Sequence, residues 1–483
     1  MVCRLVPETD GGPRVVTAPF PPPTAEVLSA SFRDPSGFVF RRDGVLYRQV
    51  NRRYAEHFAA FHASGLYEAL LSDGLLISHE TVDVEPPRPE IAELVIRPAL
   101  VPFISYPYEW CFGQLRDAAL ATLDIQLLAI QRGMVLKDAS AFNIQFVDGR
   151  PVLIDTLSFE RYRDGQPWTA YRQFCEHFLA PLLLIRDVDP WLGRLPALSA
   201  DGIPLEVASR LLPLRSWVSP SSLLHVHLHA RSVRKYGGRA VPEKVQRRGL
   251  SRKALVNLIQ GLRHTVAALN WKAVGTEWAN YVTEHGYDPG DHAEKRRLVG
   301  EMLTGIAPGA VWDLGSNTGE FSRIARATGA FVLSVDMDPV AVERNYRRVL
   351  SDAETGIHPL WVDLRNPTPD LGWANVERDS LAGRSRADVV LALALVHHLA
   401  ITGNVPLPNI ARWLARLAPN LVIEFVPKTD PQVGRLLVSR EDVFVDYTTE
   451  GFEAAFSAEF QLARRVEVGQ SGRILYQYER RED

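Results

Sequence analysis

The sequence predicts an α/β nucleotide-binding unit in the C-terminal part of the chain, preceded by a separate α+β unit. Three observations carry this. The stretch from Val311 to Asp336 runs apolar strand, glycine turn, helical spacing, apolar strand, acid, which is half of a βαβ nucleotide-binding unit. The run from Ala387 to Ala394 is continuously apolar, the signature of a strand buried on both faces of a parallel sheet. At 483 residues the chain is too long for one core, and its first third carries hairpin patterns rather than alternating strand and helix.

Composition narrows the class. The chain is 46% hydrophobic and 23% charged with a net charge of −3, which fits a globular protein and gives no global attraction to nucleic acid or membrane. The three cysteines, Cys3, Cys111 and Cys175, lie far apart and have no metal or redox spacing, so no metal is expected. No apolar run reaches the ~20 residues of a membrane span, and the N-terminus lacks a signal-peptide core. A cytoplasmic protein is expected.

Residues 1–30, rich in Pro and Gly, read as a flexible lead-in. In the unit expected over 31–220, two β-type runs flank the turn Asp43-Gly44 and predict a hairpin. Helical spacing follows from Tyr54 to Leu71, a strand at Glu93–Arg97, and an amphipathic helix from Gln114 to Gln131. Two short strands, Ile144–Phe146 and Val152–Ile154, flank Asp148-Gly149. Asp138 and Asn143 stand in D-x-x-x-x-N spacing, and Asp155 ends the second strand.

This arrangement resembles the catalytic centre of protein kinase-like folds. The resemblance implies that Asp138 orients a hydroxyl while Asn143 and Asp155 hold magnesium. The chain departs from that pattern: it has no glycine-rich phosphate loop, no V-A-I-K lysine, and Thr-Leu rather than Phe-Gly after Asp155. A degenerate kinase-like unit that recognises substrate is therefore expected, with a hairpin whose polar residues cap turns as the plainer alternative.

Trp168 to Ile185 predicts a helix, and the alternating His225, His227 and His229 suit polar packing rather than metal. The basic run Arg231 to Lys253 predicts a solvated linker, with phosphate or RNA binding as the alternative, and helical spacing resumes at Leu255, Leu258, Ile259, Leu262, Val266 and Leu269, so 221–270 reads as a basic linker and helical segment. Tyr236 is its lone aromatic, which argues against base stacking.

The unit over 271–483 holds the principal motif, D-x-G-x-N-x-G from Asp313 to Gly319. A dinucleotide fold uses G-x-G-x-x-G to receive a pyrophosphate, and an acid just before the turn repels phosphate but suits a cation. The motif resembles the first motifs of class I S-adenosylmethionine-dependent methyltransferases. Asn317 replaces that family's middle glycine, and Asn tolerates left-handed backbone angles.

The resemblance implies a Rossmann-like seven-stranded methyltransferase domain with S-adenosyl-L-methionine as cofactor. Asp313, Gly315, Ser316, Asn317 and Gly319 would border its methionine part. Asp336, with Met337 beside it, would hold the ribose. Asp363, with Leu364, would reach the adenine, and Ala394 would line the pocket. Trp278, Tyr281, Tyr287 and Lys295 lie where related enzymes carry a helix that closes over the cofactor.

His397 and His398 follow the fourth strand, and Glu424 sits inside the apolar fifth, where a lone charge is costly. These three are the candidate catalytic bases. The tract Glu424–Pro431 resembles a bacterial subgroup that includes a nodulation-associated methyltransferase. Two further β-runs, Phe460–Val468 and Arg473–Tyr478, predict a closing hairpin. The expected function is methyl transfer to an unidentified small molecule, sugar or peptide. A bifunctional methyltransferase/kinase, an RNA methyltransferase and a non-enzymatic scaffold are the alternatives.

Overall fold

The computed structural model describes residues 25–236, 250–272, 288–438 and 441–482. Most of the expected lead-in, the segment 237–249 of the basic run, and Trp278, Tyr281 and Tyr287 lie outside the described residues. The end of the lead-in differs from expectation, because Glu26–Val27 forms a strand, β1, on the edge of a sheet.

The N-terminal half begins with a five-stranded antiparallel sheet. Its strands are β1, β2 (Gly37–Arg42), β3 (Val45–Asn51), β4 (His79–Val82) and β5 (Ala92–Pro98), in the order β1-β2-β3-β5-β4. The β2–β3 hairpin turns at Asp43 (φ 51°) and Gly44 (φ 77°), the paired left-handed angles that an Asp-Gly turn supplies. The helix expected over 54–71 is two helices, Ala55–Ala63 and Leu66–Ser72, broken at Gly65 (φ 69°). Its apolar spacing continues across the break, which hides the break from periodicity.

A central helix, Phe112–Gln131, follows. After it come β6 (Met134–Leu136) paired with β9 (Phe159–Arg161), and β7 (Ile144–Val147) paired with β8 (Arg150–Leu153). The helix expected over 168–185 contains a π-helical turn, Cys175–Leu179, between Tyr171–Phe174 and Ala180–Asp187. His225 and His227 sit in a second π-helical turn, Leu223–Leu228. His225 hydrogen-bonds the Tyr171 hydroxyl at 2.6 Å, and the His227 ring bonds the Ser209 and Ser216 hydroxyls, each at 2.8 Å. His229 stacks on Tyr171 with ring centroids 5.1 Å apart. All three histidines are therefore packing groups.

The helical spacing from Leu255 is realised as a helix inside the segment 221–270. Residues Arg252–Ala268 form a helix that buries Leu255, Ile259, Leu262 and Val266 against the central helix. Arg263 pairs with Asp124 of that helix at 2.5 Å. A helix with a complete apolar stripe has to cover it, and the central helix offers the complementary face.

The C-terminal half is a seven-stranded sheet. Its strands are β10 (Ala310–Leu314), β11 (Phe331–Asp336), β12 (Ile357–Trp361), β13 (Val389–Ala392), β14 (Asn420–Phe425), β15 (Phe460–Glu467) and β16 (Ile474–Arg480). They lie in the order β12-β11-β10-β13-β14-β16-β15. The first five are parallel, and β16 runs antiparallel between β14 and β15. This is a Rossmann-like seven-stranded sheet with the closing hairpin expected from the sequence. Strand order reverses between β10 and β13, so a crevice opens beyond their C-terminal ends.

The halves share one hydrophobic core, which runs from Phe61 and Phe112 through Trp312 to Phe456. The central helix meets the helix Pro339–Ser351, and Gly113 makes the approach possible: a Cβ there would sit 2.9 Å from the Tyr346 ring. The Gly113 amide donates to Glu343 at 2.7 Å, and the Tyr346 hydroxyl donates to Asp117 at 2.9 Å. Glu109 and Arg384, both buried, form a two-bonded pair across the boundary at 2.5 and 2.9 Å. Among the described residues, no helix is long and apolar enough to cross a membrane.

Candidate active site

The site forms at the C-terminal ends of β10 to β14. β10 delivers Asp313 and enters the turn Leu314–Gly319, where Gly315 (φ 77°), Asn317 (φ 50°) and Gly319 (φ 80°) all adopt left-handed angles. Asn317, the departure from the resembled motif, therefore occupies a backbone conformation that Asn accepts. At Gly319 an added Cβ would lie 2.6 Å from both Arg323 and Asn345, so glycine is needed for close approach as well as angle.

The turn's polar groups face inward. Asp313 accepts a 2.6 Å hydrogen bond from Ser322 Oγ, and burial pushes its carboxyl up to about 6. Asp336, at the tip of β11, accepts the Asn317 amide on Oδ2 at 2.7 Å and the Asp338 amide on Oδ1 at 2.8 Å. Burial also raises its carboxyl to about 6, although these amides work the other way. Among the described residues, the buried Ser316 hydroxyl has no hydrogen-bond partner.

Asp363 lies just beyond β12. Burial alone would raise its carboxyl, but Arg365 holds it below its usual value. Arg365 Nε and amide both reach Oδ1 at 3.0 Å, and Nη2 reaches Oδ2 at 3.0 Å. Oδ2 keeps acceptor capacity. Trp361, at the end of β12, donates from Nε1 to the Met337 carbonyl at 2.8 Å and so ties β12 to the residue after Asp336. Leu364 is partly buried and packs on the core.

β13 leads to Ala394 (φ 49°) and then to the two histidines. His397 is 1% exposed, and neither of its ring nitrogens has a partner among the described residues. Burial, assisted by His398, Arg473 and Lys295, keeps His397 neutral, well below the usual range. Its ring centroid lies 4.1 Å from that of His398, whose own titration falls to about 4 through burial and Arg365.

Glu424 is fully buried. Lys295, from the helix Pro289–Ile306, donates to it at 2.6 Å, and Arg473 stands 3.7 Å away. Arg473 in turn donates to Asp430 at 2.8 Å. Glu424 thus closes a four-charge cluster. The sequence reading singled out Glu424 and Lys295 but missed Arg473 and Asp430. The available signal was the pairing rule for buried charges: Arg473 directly precedes an apolar run, as Glu424 interrupts one.

The kinase-like residues also converge. Asp138 accepts from Gln173 at 2.7 Å, and its carboxyl is raised by burial and by nearby Asp155. Asp155 is engaged on both oxygens. Arg48 of β3 reaches Oδ1 at 2.5 Å, the Leu157 amide reaches Oδ1 at 2.9 Å, and the Ser158 hydroxyl reaches Oδ2 at 2.6 Å. Asn143 ends a short 3-10 turn between β6 and β7.

No family model matches the chain. Over 467 residues it is 36% identical to nodulation protein NoeA of Rhizobium meliloti (strain 1021), an alignment covering 94% of this chain and 96% of that protein. The chain belongs to the NoeA family. Two solved structures are similar to part of the chain. Magnesium protoporphyrin IX methyltransferase from Synechocystis, with bound S-adenosylhomocysteine, is 18% identical at a TM-score of 0.29, covering 43% of this chain and 91% of that one. The N-methyltransferase NodS from Bradyrhizobium japonicum, in complex with S-adenosyl-L-homocysteine, is 13% identical at a TM-score of 0.31, covering 43% of this chain and all of that one. In this NoeA-family chain the acid-tipped strands, the turn and the histidines all belong to the half with the seven-stranded sheet.

Proposed function

We propose that the chain is an S-adenosylmethionine-dependent methyltransferase, with the transfer chemistry in residues 271–483 and substrate recognition in 31–220. One observation carries the reading. The Asn317 amide, which in a phosphate-binding turn would serve an anion, is given to the Asp336 carboxylate. The turn therefore presents negative charge, with Asp313 and Asp336 both buried beneath it. A phosphate is repelled there, whereas a nucleoside bearing a cation is attracted.

The residues fit that cofactor. Asp336, fixed by two amides, is read as the acceptor for both ribose hydroxyls. Asp363 retains an acceptor for a purine 6-amino group. The turn Gly315–Gly319, with the unpartnered Ser316 hydroxyl, borders the methionine part, and Ala394 lines the same crevice. S-adenosylmethionine supplies an electrophilic methyl when bound. The chain's contribution is to hold an acceptor in line with that methyl and to exclude water.

His397 is the favoured base where the acceptor has a proton to lose. It is neutral and buried, and its ring offers a lone pair at the end of β13. His398 packs beside it, with ring centroids 4.1 Å apart. Glu424, engaged by Lys295, is read as the anchor that fixes the helix Pro289–Ile306 over the sheet. The methyl acceptor is a small molecule, sugar or peptide.

The kinase-like resemblance supports a recognition role for 31–220 rather than phosphotransfer. Arg48 takes up the Asp155 oxygen that magnesium would require. Calorimetry with S-adenosylhomocysteine tests the main reading. Saturable one-to-one binding that is lost in Asp336→Ala is expected, and no binding to the intact protein would overturn it.

A further inference from the structure

The segment Pro190–Leu198 of the N-terminal half lies against the end of β12, beside the acid read above as the adenine contact. Gly193 is buried there. A Cβ on it would come 2.9 Å from Ile185 of the helix Ala180–Asp187 and 3.5 Å from Trp361 Cζ3, so the segment packs closely on that helix and touches the tryptophan ring. Trp191 meets the Trp361 ring edge to face, with centroids 5.5 Å apart. The Arg194 guanidinium carbon lies 4.5 Å from the Trp361 ring centroid and 5.0 Å from that of Trp191. Arg194 Nη2 donates to the Trp361 carbonyl at 3.2 Å.

Trp361 is the hub of this contact. Its ring is held from outside by Trp191 and Arg194, and its Nε1–H fixes Met337, the neighbour of Asp336. Its chain continues two residues to Asp363. Burial works against the Arg194 charge, and the carboxylates of Asp363 and Glu109 support it. Arg194 Nε is buried and has no partner among the described residues. A guanidinium held partly out of water is close enough to Asp363 to bias that carboxylate toward its charged form.

We propose that Arg194 and Trp191 make the N-terminal half part of the adenine end of the cofactor site. They are positioning residues that hold Trp361, and through it Met337 and Asp363, in the arrangement that selects a purine carrying a 6-amino group. This rests on the S-adenosylmethionine reading. It gives the boundary between the halves a role in cofactor selection beyond adhesion.

The test compares two ligands by calorimetry on the full chain: S-adenosylhomocysteine, and S-inosylhomocysteine, in which oxygen replaces the 6-amino group. An ionised Asp363 accepts from the first and repels the second. The intact protein is expected to prefer the adenine form by about tenfold or more. Arg194→Ala is expected to reduce that preference by about threefold or more, and Arg194→Lys, which keeps a cation over the two rings, to restore most of it. A merely structural contact would weaken both ligands together and leave the ratio alone. Trp191→Ala is the second variant, at a residue that is 48% exposed, and a drop of about twofold in the ratio is expected. An unchanged ratio in Arg194→Ala and Trp191→Ala, with the intact protein still binding S-adenosylhomocysteine, overturns the inference alone. Binding of neither ligand by the intact protein overturns the cofactor reading and the inference together.

Discussion

Replacing Glu109 by Gln tests whether the two halves are joined by a buried charge pair. Glu109 is 1% exposed and Arg384 is 8% exposed. Glu109 takes Arg384 on both oxygens, and it also accepts the Thr368 hydroxyl at 2.6 Å and the Tyr106 amide at 2.9 Å. The Gln side chain keeps the shape but loses the charge and one acceptor. Arg384 is then left charged, stacked on Tyr106 at 4.4 Å and Phe103 at 5.0 Å, with little water to turn to.

Breaking one partner of a buried pair costs about 3–5 kcal/mol. Unfolding entropy at ~2.1 cal/mol/K per residue over 483 residues is about 1 kcal/mol/K, so the expected loss is about 4 °C in Tm if the halves unfold as one unit. Scanning calorimetry with urea titration measures both quantities. Glu109→Gln combined with Arg384→Met removes both charges and should recover much of the loss. A single-variant loss below ~1 kcal/mol, or a double variant that simply sums the two single losses, would refute the reasoning.

Other expectations follow from the same geometry. Asp336 titrates near 6 in the folded chain instead of the usual 3.8, so its contribution to stability is complete below about pH 4 and is lost as pH rises through 6. Relative to the intact protein, Asp336→Asn should therefore gain about 3 kcal/mol between pH 4 and pH 8, read by urea titration; no pH trend would count against the assigned burial. Gly319→Ala should cost about 1–2 kcal/mol from the left-handed angle alone and should weaken S-adenosylhomocysteine by at least about tenfold, because the turn must shift away from Asn345. Lys295→Met leaves the fully buried Glu424 with Arg473 at 3.7 Å as its remaining described cation, and should cost about 3 kcal/mol; Tm against Lys295→Met/Glu424→Gln checks this. Magnesium with ATP should give no thermal shift while Arg48 is intact, and a saturable shift would restore the phosphotransfer alternative.

Much of this site can be read in the chain because its chemistry is local. Asp313, the small-residue turn and Asp336 lie within one βαβ unit, where each residue's backbone demands are set by its neighbours. The Asp-Gly turns at 43–44 and 148–149 are legible for the same reason, since left-handed angles select those residues. Pairings over long separations are not legible. Lys295 meets Glu424 across 129 positions, and Gly113 meets Glu343 across 230. The sequence shows that Glu424 needs a partner but not which cation arrives. The helix Arg252–Ala268 announces its apolar stripe, yet nothing local says that the stripe belongs to the central helix rather than to solvent-side linker structure. His397 looks titratable in sequence, and its burial, helped by His398, Arg473 and Lys295, keeps it neutral.

The unbroken core from Phe61 to Phe456 bears on how this protein can be handled. Cutting the chain near residue 271 would not release two working pieces. Each would carry a raw greasy wall where the other had been, with Trp312 and Trp361 stripped on one side and Phe112 and Phe146 on the other. Such fragments should clump when made alone and recover only when produced together.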